Sequence, residues 1–147
     1  MITFSESSII RRPVAEVFAT AADPFKQLEW DPGTLKRVEQ VTPGGLGRGA
    51  RYRGDFKGFG IVEYEFAEYE PDRRFAHHTL MKFGDMSHRF ELEAVPGGTR
   101  LTQSMEIEPK GIGKLMMPIM KGMLSKRLQT IATEITQYLE KTTMAPQ

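Results

Sequence analysis

Cysteine is absent from all 147 residues, and so is asparagine. Without thiols there is neither a disulfide framework nor a thiolate metal site, and without asparagine there is no acceptor for N-linked glycans. Long apolar runs are missing too. The longest, Leu115 to Met120, falls far short of the ~20 residues a bilayer-spanning helix needs. Met1 to Ile10 lacks the basic flank and apolar stretch of a secretory signal, so the chain reads as soluble and cytoplasmic. Neither sign of charge prevails: 20 Lys and Arg against 19 Asp and Glu leave +1, with no broad field to draw in nucleic acid. The exception is local, where Lys110, Lys114, Lys121, Lys126 and Arg127 gather. No linker, repeat or low-complexity tract divides the chain, which predicts a single domain over 1–147, large enough to bury a core without staples.

What is present is a change of period. From Gly111 to about Lys141, Ile112, Met116, Ile119, Met120, Met123, Leu128, Ile131, Ile135 and Leu139 recur, apart from the adjacent Ile119 and Met120, three, four or five apart, the apolar stripe of a helix. Thirty residues at 1.5 Å each make a rod of about 45 Å, which needs a broad surface to cover its inner face. Pro118 predicts a kink or irregular turn near its start. Methionine fills the first half of the stripe, and methionine moulds itself to irregular space or to a guest.

Upstream, Ile2 to Ile10 alternates as a first strand. Pro13 opens a short helix with Val14, Val17, Phe18 and Ala21 on its inner face, and Asp23 with Pro24 starts a second that ends around Trp30. From Leu35 the period is two, predicting strands over 35–42, 50–57, 61–70, 75–82, 86–95 and 99–108. The turns between them are short, including PGGLGRG and Gly84 with Asp85, so neighbours pair as antiparallel hairpins. Such a meander must curl, and the terminal helix fits the curl in an α+β fold.

Alternation places Tyr52, Phe56, Tyr64, Phe66, His88, Phe90, Gln103 and Met105 on the inner face; the strand from Phe75 is ambiguous, with Phe75, His77, Thr79 and Met81 favoured inward. A dry core would have to satisfy His88, Gln103, the tyrosines and His77 one by one, at roughly 1–3 kcal/mol for each group left unpaired. A cavity satisfies them more easily, so these residues predict a pocket.

The residues Ile10, Arg12, Pro13, Val14, Val17, Phe18, then Asp23, Pro24 and Trp30, Gly47 and Gly49, Glu68, Tyr69, Pro71 and Phe75, and finally Gly97, Gly98, Thr99 and Arg100 resemble the SRPBCC or polyketide cyclase/dehydrase superfamily. This START-related group shares its helix-grip architecture with the birch-pollen allergens. The resemblance implies a seven-stranded curved antiparallel sheet wrapped around the long C-terminal helix, two short helices between strands 1 and 2, and a hydrophobic cavity. Members bind lipids, sterols, polyketides, quinones or hormones, and a minority catalyse cyclisation or dehydration.

On these grounds the expected function is binding or transport of a small hydrophobic ligand. Tyr52, Phe56, Tyr64, Phe66, Phe90, Met105, Met116, Met120 and Met123 would shape the pocket, His88 and Gln103 would orient a polar group with His77 nearby, and Trp30 would sit at the mouth. A cyclase/aromatase or dehydratase using His88 with Tyr52 or Tyr64 is the alternative, and an interaction module using the basic half of the helix is a third. No cofactor is expected. His77 and His88 lack a third metal ligand, and Gly45, Gly47 and Ala50 run into a strand rather than the helix a dinucleotide loop requires. The expected partner is the small molecule alone, with the protein a monomer or homodimer.

Overall fold

The computed structural model describes residues 1–81 and 84–144, with side chains to residue 142. The elements are β1 (Ile2–Ile10), α1 (Val14–Ala22), α2 (Pro24–Trp30), β2 (Leu35–Gln40), β3 (Arg51–Phe56), β4 (Gly60–Glu70), β5 (Arg74–Met81), β6 (Gly84–Val95), β7 (Gly98–Pro109) and α3 (Gly113–Met144). They form the helix-grip fold, a curved antiparallel sheet in the order β1-β7-β6-β5-β4-β3-β2 with α3 against it. β2 to β7 is a meander of hairpins. β1 lies at the far edge beside β7, so α1 and α2 carry the chain from one sheet edge to the other.

At the elbow between these helices, Asp23 ends α1 and caps α2. Its carboxylate accepts from the Phe25 amide at 2.9 Å, and Pro24 stands at the first helical position. Pro13 precedes α1 rather than opening its first turn. The expected turn at Gly84 and Asp85 is strand instead, paired with Pro109 and Glu108. A Cβ on Gly84 would meet the Glu108 carbonyl at 2.7 Å, so glycine here marks a close approach of two backbones rather than a reversal. The predicted strand end at Lys82 lies outside the described residues.

A bulge in β4 between Phe66 and Glu68 inserts one residue, which lets both Phe66 and Tyr69 pack inward although they are an odd number of positions apart. In β5 the ambiguity resolves toward Phe75, His77 and Thr79, while Leu80 is 71% exposed.

The long helix is rotated from the predicted stripe. Met117, Met120, Leu124, Leu128, Ile131, Ile135 and Leu139 are buried, whereas Ile112, Met116, Ile119 and Met123 are exposed. The first half is apolar around most of its circumference, so spacing there cannot choose a face. Packing of the second half chooses it: Leu128, Ile131, Ile135 and Leu139 define one line, and that line traced back at about 100° per residue arrives at Leu124, Met120 and Met117. The helical conformation continues through Pro118 without the expected irregular turn. Within the second turn of the helix, a proline forfeits a single backbone hydrogen bond.

Candidate functional site

The concave face is built of cross-strand rows. Tyr52, Tyr64, Thr79 and Met86 form one. Phe66, His77, His88 and Met105 form the next, and Tyr69, Phe75, Phe90 and Gln103 the third. In the third row Phe75 and Phe90 stack at 4.4 Å with Phe18 edge-on at 5.6 Å, which closes that end. Toward the other end a cavity of about 120 Å³ of water-accessible space lies between the sheet, α2 and α3.

That cavity is mostly apolar, with a few polar groups turned into it. The Tyr64 hydroxyl and His77 Nε2 are buried and have no hydrogen-bond partner among the described residues, and their rings lie 4.8 Å apart. Burial, reinforced by the neighbouring Tyr52, pushes the Tyr64 phenol well above its ordinary range, so it stays a hydroxyl. Burial also lowers His77 to about 3, helped by His88, and lowers His88 to about 4 against the opposing hydrogen bond to Gln103. Both imidazoles are therefore neutral at pH 7.

The tautomer of His88 follows from its neighbour. Gln103 Nε2 donates to the Leu128 carbonyl at 2.8 Å, which turns the amide oxygen toward His88 Nε2 at 3.1 Å. An amide oxygen can only accept, so His88 Nε2 carries the proton and donates it. Neither histidine offers an imidazolium proton at neutral pH, and what the cavity presents is a set of uncharged hydrogen-bonding groups. Among the described residues no group of three or more His, Cys, Asp or Glu is placed to hold a metal.

Of the candidate residues, Trp30, Phe56, Tyr64, His77, His88, Phe90 and Met105 line the cavity. Trp30 is 4% exposed and stands in the wall rather than at the mouth, because its indole N–H donates to the Thr20 carbonyl at 2.9 Å and ties α2 to α1. Tyr52 and Phe66 belong to the aromatic core beside the cavity, with rings 5.7 Å apart. Gln103 supports His88 from below without facing the cavity. Met120 packs with Met105, Ile107 and Met117, while Met116 and Met123 sit on the outer side of α3 through the rotation described above.

Sequence reasoning missed Arg127, which lines the cavity and forms an ion pair with Asp31, a fully buried carboxylate that also accepts from Gln27 at 3.1 Å. Glu134 approaches the same guanidinium at 3.4 Å. The available signal was spacing: Arg127 falls three after Leu124 and four before Ile131, on the buried line rather than in the solvated basic cluster.

A family model described as polyketide cyclase/dehydrase and lipid transport matches residues 1–140. An uncharacterized protein of Mycobacterium bovis is 23% identical over 129 residues, covering 85% of this chain and 77% of the relative. Among solved structures, the Zhui aromatase/cyclase from a Streptomyces species superposes with a TM-score of 0.81 at 13% identity, over 98% of this chain and 96% of that one. A START superfamily protein from Mycobacterium smegmatis gives 0.77 at 15%, over 95% and 98%. At these identities the structural likeness is one of fold.

Proposed function

This chain belongs to the polyketide cyclase/dehydrase and lipid-transport family of the SRPBCC superfamily, and from that membership we propose that it binds a small apolar ligand carrying one hydrogen-bonding oxygen. The observation that supports this most directly is the pair of buried groups on the cavity wall without partners among the described residues, the Tyr64 hydroxyl and His77 Nε2. Each unpaired polar group costs about 1–3 kcal/mol, a penalty that a ligand carbonyl or hydroxyl removes. The volume argues for a modest guest. About 120 Å³ lies below the roughly 300–1,000 Å³ of drug-sized pockets and near the ~150 Å³ that admits benzene. One ring or a short chain segment fits as the cavity stands, and the pliant Met81, Met86 and Met105 on its wall allow more.

The cyclase or dehydratase alternative would need His88 to exchange protons with substrate. Tyr64 of the two candidate tyrosines lines the cavity and Tyr52 does not, but the His88 Nε2 proton is already given to Gln103, so we favour a carrier or sensor acting in the cytoplasm. Trp30 supplies the assay, being the single tryptophan and part of the cavity wall. Titrating phenols, quinones and short fatty acids should change its emission saturably and raise the melting temperature. A broad panel that leaves both unchanged removes the proposal.

A further inference from the structure

Where α2 meets α3, one guanidinium serves two carboxylates. Asp31, the residue that ends α2, is fully buried. Its Oδ2 accepts from Arg127 and from Gln27 Nε2, the latter at 3.1 Å, while its Oδ1 has no partner among the described residues. Glu134, two turns along α3 from Arg127, reaches the same guanidinium at 3.4 Å and lies within hydrogen-bonding reach of Asp31. Arg127 and Gln27 both line the cavity, and so does Trp30, next in sequence to Asp31. The cluster therefore ties together the two helices that wall the cavity.

Counting charge and donors shows what the cluster lacks. Two ionised carboxylates against one guanidinium leave an excess negative charge beside a carboxylate closed to water, and Asp31 Oδ1 wants a donor. One proton answers both: carried by Glu134, it cancels the excess charge and can be donated to Asp31. The surrounding groups are otherwise engaged. Gln27 and Arg127 already donate to Oδ2, and His88 of β6, which senses the Arg127 charge from the sheet side, is neutral at pH 7. Arg12, before α1, pairs with Glu16 at 3.2 Å, and Tyr138 donates to Glu29 at 3.0 Å as a second link between α2 and α3.

We propose that Asp31 and Glu134 share a proton that clasps α2 to α3, and that loss of this proton in mildly alkaline solution loosens α2 and opens the cavity. Burial, with Asp31 beside it, raises the Glu134 carboxyl to about 7 against the pull of Arg127, which sets the change near neutrality. Below that value the proton is held and the wall stays closed. Above it the two carboxylates repel, and α2, a helix of seven residues, is the element that yields. A guest is then retained on the acid side of neutrality and exchanged on the alkaline side. This use rests on the ligand reading, but the clasp is testable without a guest.

Acrylamide quenching of Trp30 reads the clasp, because that indole is buried in the wall that α2 supplies. From about pH 6 to about pH 8.5 the wild-type quenching constant should rise about threefold or more, with its midpoint near 7 and the far-ultraviolet circular dichroism unchanged. Glu134→Gln, whose amide donates to Asp31 without titrating, should keep the constant low throughout. Glu134→Ala, which offers no donor, should keep it high throughout. A flat wild-type profile, a rise that Glu134→Gln retains, a rise accompanied by loss of helical signal, or a Glu134→Ala variant as protected as wild type in acid would overturn the proposal. The probe is acrylamide and not a ligand, so a flat profile counts against the clasp and leaves the ligand reading to the titration panel.

Discussion

Along β5, two steps of the same inward-facing parity cross from a solid to a hollow region. At Phe75 the concave face is filled: its ring stacks on Phe90, meets Phe18 edge-on, and belongs to the cluster that includes Ile135 and Leu139 from α3. At His77 and Thr79 the same strand lines a cavity whose wall holds polar atoms without partners among the described residues. Pairing with β6 is continuous through both regions, while on the β4 side the bulge between Phe66 and Glu68 falls between them. The difference is made by side chains together with that bulge, which teaches that the grip is filled at one end of this strand and left hollow at the other.

The sharpest way to test that division is to hollow out the solid end. Phe75→Ala removes a fully buried ring from the stacked cluster and should lower unfolding free energy by about 3–5 kcal/mol, read by urea denaturation. Phe59, on the cavity wall and 36% exposed, should lose far less on truncation to alanine. Equal losses would show that both ends are packed alike.

Acid should open the hollow end first. His77 and His88 have folded values lowered from 6.5 to about 3 and about 4. Below pH 6.5 the unfolded chain takes up protons that the folded chain refuses, so stability falls as pH drops from about 6.5 toward 4 and is level with respect to these groups above 7. Glu134 acts with the opposite sign. Burial and the nearby Asp31 raise its carboxyl from 4.5 to about 7, so the folded state holds the extra proton and stability falls as pH rises through that window. The two effects separate in a difference measurement: His77→Phe should flatten the acid limb of the melting-temperature profile relative to wild type and leave the neutral limb unchanged. Parallel profiles would mean that His77 titrates as an exposed imidazole does.

How much of this was legible in the sequence follows from the same contrast. The order of elements along the chain, the hairpin pairing of β2 to β7 and the inward set of β3, β4, β6 and β7 were readable because period two and glycine-rich turns are local signals. Phe56, Tyr64, His88, Phe90 and Met105 came from that alternation and line the cavity. The face of α3 was not readable in its first half, where apolar residues surround the helix and only tertiary packing of Leu128, Ile131 and Ile135 fixes the rotation. Arg127 was hidden for a related reason. Its neighbours in sequence are solvated lysines, and its true partner, Asp31, is distant in sequence, beyond the reach of spacing arguments. The bulge after Phe66 was equally silent, since nothing local announces a change of parity.

The smallest expected effect discriminates most finely between the two regions. Tyr64→Phe removes one oxygen that has no partner among the described residues. In a solid core such a hydroxyl would be paired, and its loss would cost about 1 kcal/mol. Here the substitution relieves an unmet polar group, so urea denaturation should show stability unchanged or raised by up to about 1 kcal/mol. Binding should respond the other way, with a ligand that bonds this hydroxyl losing about tenfold in affinity by Trp30 emission, the equivalent of one net hydrogen bond. A variant that is both less stable and equally tight-binding would place the Tyr64 hydroxyl in the structural framework and move the cavity's polar end to His77 and Thr79.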